Sequence, residues 1–337
     1  MNAINPLQHY LLGEISKRFL KKTDAIDALS HLLNVGKDAI YRRLRGDTVL
    51  SPDELTLLAG KFNISLDSFI FKNTDAVVFT FNPFSYTVKT FEDYLESVYR
   101  DVAMMYQIPG VNVWYASAEI PLFYYIIHPE IINFKLYVWG RTVWNFEYLQ
   151  NKKYHQDIIP YTVFRKAEET HHFYRQIPTT ELWTLNLIDN TLNQIEYHIV
   201  TGLFQNPPDA LVICDKMEDL TWHMQAMAEH GRKFAHGKPS ESNGAKFELY
   251  HNEMIYTNNT IYVQSPIGQM VYTTHGNPNF LKTTDKRMCD YTHAWFERVM
   301  HKSSKISSQG EKGRKWYFDQ LRRRIEAVRL RIEQAIP

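Results

Sequence analysis

The sequence predicts a multi-domain chain. An all-α module of five helices comes first, followed by a larger, helix-rich mixed α+β domain that ends on a long helix. Three observations predict this. Between Thr23 and Ile70, apolar residues recur at helical spacing and are interrupted by a tight break at Asn34-Val35-Gly36. After Ala76 the composition turns aromatic, and helical periods alternate with short β-branched runs. Near the C-terminus, Phe318, Leu321, Ile325, Val328, Ile332 and Ala335 follow one another at three- and four-residue steps. The domains are placed at residues 1–73 and 76–337.

In residues 5–20, Leu7, Tyr10, Leu11, Ile15, Phe19 and Leu20 form one helical face. Thr23 is the expected N-cap of a second helix whose inner face is Ala25, Ile26, Leu29, Leu32 and Leu33, with Ser30 as a small residue where another helix can approach. Asn34 suits the left-handed conformation a sharp turn needs, and Val35 plugs that turn. Ile40 and Leu44 anchor a third helix that Gly46 ends. Ser51-Pro52-Asp53-Glu54 combines a cap, a proline at the first helical position and a glutamate three residues on, which starts a fourth helix carrying Leu55, Leu57, Leu58 and Phe62. Ser65 caps a short fifth helix through Phe69 and Ile70, and the module ends near Lys72-Asn73.

In the second part, residues 76–81 and 111–117 read as strands and residues 91–106 as an amphipathic helix. Residues 121–149 read as largely buried helix, and residues 161–175, 181–201 and 209–234 as further helices. A polar loop, 235–245, precedes three strands at 247–256, 260–265 and 269–274. The turns Asn258-Asn259 and Pro266-Ile267-Gly268 make them a short antiparallel meander. Residues 284–302 are helical, 307–313 a flexible joint, and 316–336 the final helix.

Bulk properties narrow the function. The 337 residues carry a net charge of +1, so affinity for a polyanion must come from local basic patches. Cys214 and Cys289 form no disulfide framework and no CxxC zinc spacing. The N-terminus lacks a secretory pattern, and the longest apolar run, residues 120–127, is too short to cross a bilayer, which together point to the cytoplasm. GxGxxG, P-loop and GxSxG patterns are absent, as is an HxK pair with the downstream Asp of the phospholipase-D type, so no catalytic residue, cofactor or metal is expected. Glu168 and His172 share a helix face beside His171, but without an HExxH frame they read as a polar helix edge. His223, His230 and His236 have no ligand spacing, and Asp215, Glu218 and Asp219 read as solvent-facing.

One segment speaks for function. The helix after the break carries Lys37, Asp38, Tyr41, Arg42, Arg43 and Arg45, and a short cationic helix at a fixed angle to its partner is a device for entering a DNA major groove. Leu29-Ser30, Leu33-Asn34-Val35, Ile40, Leu44, Gly46, the capped helix from Ser51 and the phrase NISLD at residues 63–67 together resemble the XRE, or lambda-repressor-like, family of bacterial helix-turn-helix regulators. The resemblance covers about residues 5–71. It implies that Lys37, Asp38, Tyr41 and Arg42 face base edges, while Arg43 and Arg45 touch phosphates. It further implies a transcription regulator that binds double-stranded DNA, as a homodimer, with the second domain regulatory and able to take a small-molecule effector of unspecified identity. Two positions depart from the family pattern: Arg43 stands where an apolar residue is usual, and Gly36 where Ser or Thr usually caps the helix.

Other readings compete. The larger part could be a hydrolase-like enzyme tethered to a DNA-binding module, or the small bundle could bind protein. Trp114, Tyr115, Phe123, Tyr124, Tyr125, Phe134, Tyr137, Trp139, Trp144 and Phe146 either line a ligand pocket or fill a core. The final seam, flanked by Arg322, Arg323, Arg324, Arg329 and Arg331, either pairs two chains, packs on its own domain, or adds phosphate contacts.

Overall fold

The structure, a computed structural model, describes residues 5–19, 21–62, 64–70, 76–81, 89–238, 244–253, 258–276 and 278–336. The chain divides into two compact units, Met1–Phe79 and Thr80–Pro337. The expected module end at Lys72-Asn73 lies outside the described residues, as do residue 20 of the first helix and Asn63 of the NISLD phrase.

The first unit contains α1 (Pro6–Ser16), α2 (Lys22–Leu33), α3 (Lys37–Arg45), α4 (Pro52–Lys61) and α5 (Asp67–Ile70). Its core is Leu11, Leu12, Ile15, Ile26, Leu29, Ile40, Leu50, Leu58, Ala59 and Ile64, with Val35 and Leu44 packed against it. The start of α2 differs from expectation. Lys21 is the N-cap, without a side-chain bond, and Thr23 lies inside the helix. The end is as the sequence requires: Asn34 takes φ 51° and ψ 45°. Both halves of the Ser51 capping box form: the Glu54 amide donates to Ser51 Oγ at 3.1 Å and the Ser51 amide to Glu54 Oε2 at 2.9 Å.

The second unit is built on one mixed eight-stranded sheet. In chain order its elements are β1 (Thr80–Phe81), α6 (Phe91–Tyr106), β2 (Asn112–Ser117), α7 (Leu122–Tyr125), α8 (Pro129–Thr142), α9 (Tyr161–Tyr174), β3 (Thr179–Trp183), α10 (Asp189–Val200) and α11 (Asp209–His230). They continue with β4 (Phe247–His251), β5 (Thr260–Ser265), β6 (Gly268–Thr274), β7 (Phe280–Thr283), α12 (Lys286–His301), β8 (Ser304–Lys305) and α13 (Glu311–Ala335). Strand order is β1-β7-β6-β5-β2-β3-β4-β8. β2, β3 and β4 run parallel, and the other pairs are antiparallel.

Three expectations are corrected. Residues 181–201 are not one helix, because Thr179–Trp183 is a central strand bonded on both sides. The antiparallel meander is β5-β6-β7, since β4 pairs with β3 and β8 rather than with β5. Residues 307–313 are no loose joint: Ser307 is buried and accepts the Leu249 amide, and buried Arg314 donates to the Ile306 and Ser308 carbonyls.

Period-two alternation divides the sheet's side chains between two cores. Val113, Trp183, Phe247, Leu249, Val263 and Tyr272 join the main core with α6–α11 and α13. Ala116, Leu182, Tyr262 and Val271 meet Cys289 and Phe296 of α12 on the opposite face. Of the ten candidate pocket aromatics, all but Trp114 and Phe123 are buried, and those two are half-buried. Several of their rings pack on neighbouring rings, as with Phe123 on Tyr174 (3.9 Å) and Phe134 on Phe204 (5.7 Å). They serve as core.

The α13 seam is also internal: Phe318, Leu321, Ile325, Val328 and Ile332 are buried in the main core. Arg322, Arg324, Arg329 and Arg331 bind the same unit, while Arg323 is exposed. Arg324 meets Asp189 at 2.8 Å, Arg329 meets Asp215 at 2.7 Å, and Arg322 lies 3.5 Å over the Trp222 ring. From Phe318 to Ile332 the seam is therefore occupied within this unit, and Ala335 alone of its apolar positions is exposed.

Candidate functional site

In the first unit, α2, the turn 34–36 and α3 form a rigid corner. Ser30 does more than leave room: its hydroxyl donates to the Val35 carbonyl at 2.5 Å, and its carbonyl accepts the Val35 amide at 3.1 Å. Gly46 closes α3 at φ 83°. From the other side α3 is held by Gln8, which the sequence reading passed over. Gln8 is buried, and its amide donates to the Arg43 carbonyl at 2.8 Å and the Thr48 carbonyl at 2.9 Å, while its oxygen accepts the Leu50 amide at 2.7 Å. A buried amide satisfied three times fixes position, not only proximity.

On this corner Lys37, Asp38, Tyr41, Arg42 and Arg45 are exposed. Among the described residues, no ion pair or side-chain hydrogen bond engages the Arg42 guanidinium. Lys37 pairs with Asp27, and Arg45 with Asp47 at 2.9 Å; all four side chains are more than half exposed, so water competes for both pairs. Arg43 differs. Its side chain is 13% exposed, and the guanidinium meets Glu54 at 2.7 Å. The residue that departs from the apolar pattern thus turns inward to the α4 capping box, and its expected phosphate contact gives way to an internal one. Arg43→Ala is expected to lower stability by about 1.5–3 kcal/mol, the range for hydrogen bonds to charged groups, as urea unfolding followed by circular dichroism would register. A change within error would deny the pair its role.

In the second unit, two ionic networks lie in the main core. Glu119 accepts from Lys135, from Thr191 at 3.2 Å and from Asn190 at 3.2 Å, with both Glu119 and Lys135 buried. Burial alone would raise the Glu119 carboxyl; Lys135, Asn190 and Thr191 turn the net shift downward. Glu181, on the central strand, accepts from Tyr124 (2.6 Å), Tyr174 (2.8 Å), Thr179 (3.0 Å) and Trp183 (3.0 Å). Nearby Lys233 is fully buried and donates to the Tyr174 and Ile177 carbonyls at 3.2 and 3.1 Å. Both carboxylates are saturated by protein donors, the pattern of buried structural charges.

A different cluster is less satisfied. His128, which precedes α8, Asp219 of α11, and His236 beyond α11 bring three donor atoms within 4.8 Å of one another. His223, one turn after Asp219, places its ring 5.1 Å from that of His236. Burial, then His236, push His128 down to about 4 and His223 to about 3, so both imidazoles are neutral at neutral pH. His230 lies outside the cluster, its Nδ1 bonded to the Ala226 carbonyl. The sequence reading named His223, His236 and Asp219 separately and missed His128. The only sequence signal is the four-residue step from Asp219 to His223. Glu168, His171 and His172 do not converge in this way: His171 Nδ1 bonds the Phe123 carbonyl at 2.8 Å.

Comparison with protein-family models, curated proteins and solved structures finds no match to this chain.

Proposed function

We propose that this protein is a sequence-specific DNA-binding transcription regulator of the lambda-repressor-like type, with α3 as its recognition helix and the larger unit as its regulatory part. The observation that carries the reading is the corner of α2 and α3: a short helix locked by Ser30, Asn34 and Gln8, whose outer side presents Asp38, Tyr41 and Arg42 without internal partners of the kind that hold Arg43. Such a rod fits a major groove. Arg42 is the donor for guanine O6 and N7, and Asp38 the acceptor for cytosine N4. Lys37 and Tyr41 flank them, and Arg45 reaches phosphate. Neither α2 nor α3 has a side-chain N-cap, which leaves their first amides to phosphate oxygens.

One recognition helix buries little DNA surface, so the regulator acts as a homodimer on paired half-sites. With the α13 seam consumed internally, the pairing surface lies elsewhere.

The test is selection of bound fragments from genomic DNA by the purified chain. A two-fold symmetric consensus is expected. Arg42→Ala should relax discrimination at one base position by about 1–3 kcal/mol. Arg45→Ala should weaken all sequences alike and reduce the salt slope by about 1. Selection of no consensus, or binding indifferent to both substitutions, would overturn the reading.

A further inference from the structure

We infer that the second unit holds a site for one divalent transition-metal ion of the zinc class, ligated by His128, Asp219 and His236. The inference is independent of the DNA-binding reading. It rests first on geometry. A tetrahedral ion with bonds of about 2.0–2.2 Å sets its ligand atoms about 3.3–3.6 Å apart. Asp219 Oδ2 lies 3.5 Å from His128 Nε2 and 3.1 Å from His236 Nε2, so two edges of such a tetrahedron already stand.

The second observation is an unanswered polar atom. His128 is 5% exposed, and its Nε2, at the inner corner of the triangle, makes no hydrogen bond. His223 Nε2, in a ring equally buried and edge-on to His236, makes none either. Imidazole nitrogens withheld from water and from protein donors are costly unless something else occupies them. A cation supplies that partner, and neutral imidazole is the form that ligates.

The donor set selects the ion. Two imidazoles and one carboxylate suit zinc, nickel, cobalt or copper better than the oxygen-seeking magnesium or calcium. Positive charge close by is partly offset, since Lys216 is 3.8 Å from Glu130. Asp219 and His236 are nearly half exposed, 48% and 40%, while His128 is buried, so the ion enters from solvent and leaves an open coordination position on that side. His223 forms the inner wall.

The experiment uses the full chain, purified without a histidine tag, treated with EDTA and dialysed. Zinc chloride titrated by calorimetry should saturate at one ion per chain. Cobalt chloride should give the visible absorption of a four- or five-coordinate site. His236→Ala and Asp219→Asn alter partly exposed side chains, so both chains should fold, as circular dichroism would verify. Each should weaken zinc binding by at least about 10-fold, the lower bound even for outer-sphere partners. His230→Ala, on the same helix but outside the cluster, should leave binding unchanged. Absence of saturable zinc binding, or saturable binding that survives both ligand substitutions, overturns the assignment.

Discussion

Replacing Lys135 by methionine is expected to lower the unfolding free energy by about 3–5 kcal/mol, the cost of leaving one member of a buried ion pair alone. Lys135 is fully buried and Glu119 is 5% exposed, so no water can replace the lost charge. The ammonium also donates to Gln194 at 2.8 Å, and this bond is lost with it. The loss is not the net worth of the pair. The double variant Lys135→Met with Glu119→Gln should recover much of it, because a neutral amide can keep the Thr191 and Tyr125 hydroxyl bonds. Urea unfolding of the four proteins forms the cycle.

Acid gives an independent sign. The folded Glu119 carboxyl lies below its ordinary value of 4.5, so its contribution is present above that value and lost as pH falls through the folded one. Lys135→Met leaves burial to raise the carboxyl above 4.5, so its deficit should begin to shrink above pH 4.5 and go on shrinking as pH falls through the parent's folded value. A single variant within about 1 kcal/mol of the parent would mean that the core relaxes around the bare carboxylate, contrary to the expectation for buried pairs.

The second large effect concerns Lys233 and alkali. Burial pushes this ammonium from 10.5 down to about 7, with Glu181 pulling it partly back. Between these values the unfolded chain binds the proton and the folded chain does not, so stability rises with pH across that window. At about 1.36 kcal/mol for each unit of pKa, the rise approaches 5 kcal/mol. The tyrosines facing Glu181 oppose it, because burial holds Tyr124 and Tyr174 well above their ordinary range and costs stability once unfolded tyrosine ionises.

The informative quantity is therefore the difference between the parent and Lys233→Met, in which the tyrosines cancel. Relative to the variant, the parent should gain stability steadily from about pH 7 to 10. Parallel pH curves for the two proteins would show that Lys233 stays charged, held by the Tyr174 and Ile177 carbonyls, the 3.6 Å approach to the Tyr174 ring and the Glu181 charge.

Local grammar explains why the first unit was legible. A left-handed Asn34, a Gly46 stop and the Ser51 capping box act within a few residues of themselves, and each formed where the sequence placed it. Thr23 failed as a cap because α2 starts one residue before it. Gln8 and Arg43 were illegible for the opposite reason: their partners lie 35 to 42 and 11 residues away. In the second unit, residues 91–106 were read to the residue from their apolar period. The expected helix at 181–201 takes in the last three residues of the strand Thr179–Trp183, because five residues with a glutamate at their centre hold no decisive period, and only pairing on both sides makes them a strand.

The candidate sites divide along the same line. Asp38, Tyr41 and Arg42 could be named from sequence because a single helix orders them. His128, Asp219 and His236 could not, because α8, α11 and the segment after α11 are brought together only by the packed sheet and its crossover helices. By itself the sequence determined the Ser51 capping box, the Gly46 stop, the turn at Asn34 and the exposed basic rod, whose energies are set between near neighbours. The tertiary structure alone decided strand order, the burial of Glu119, Lys135, Glu181 and Lys233, and the histidine–carboxylate cluster. Those depend on desolvation and on contacts across distant stretches of chain, which no local pattern encodes.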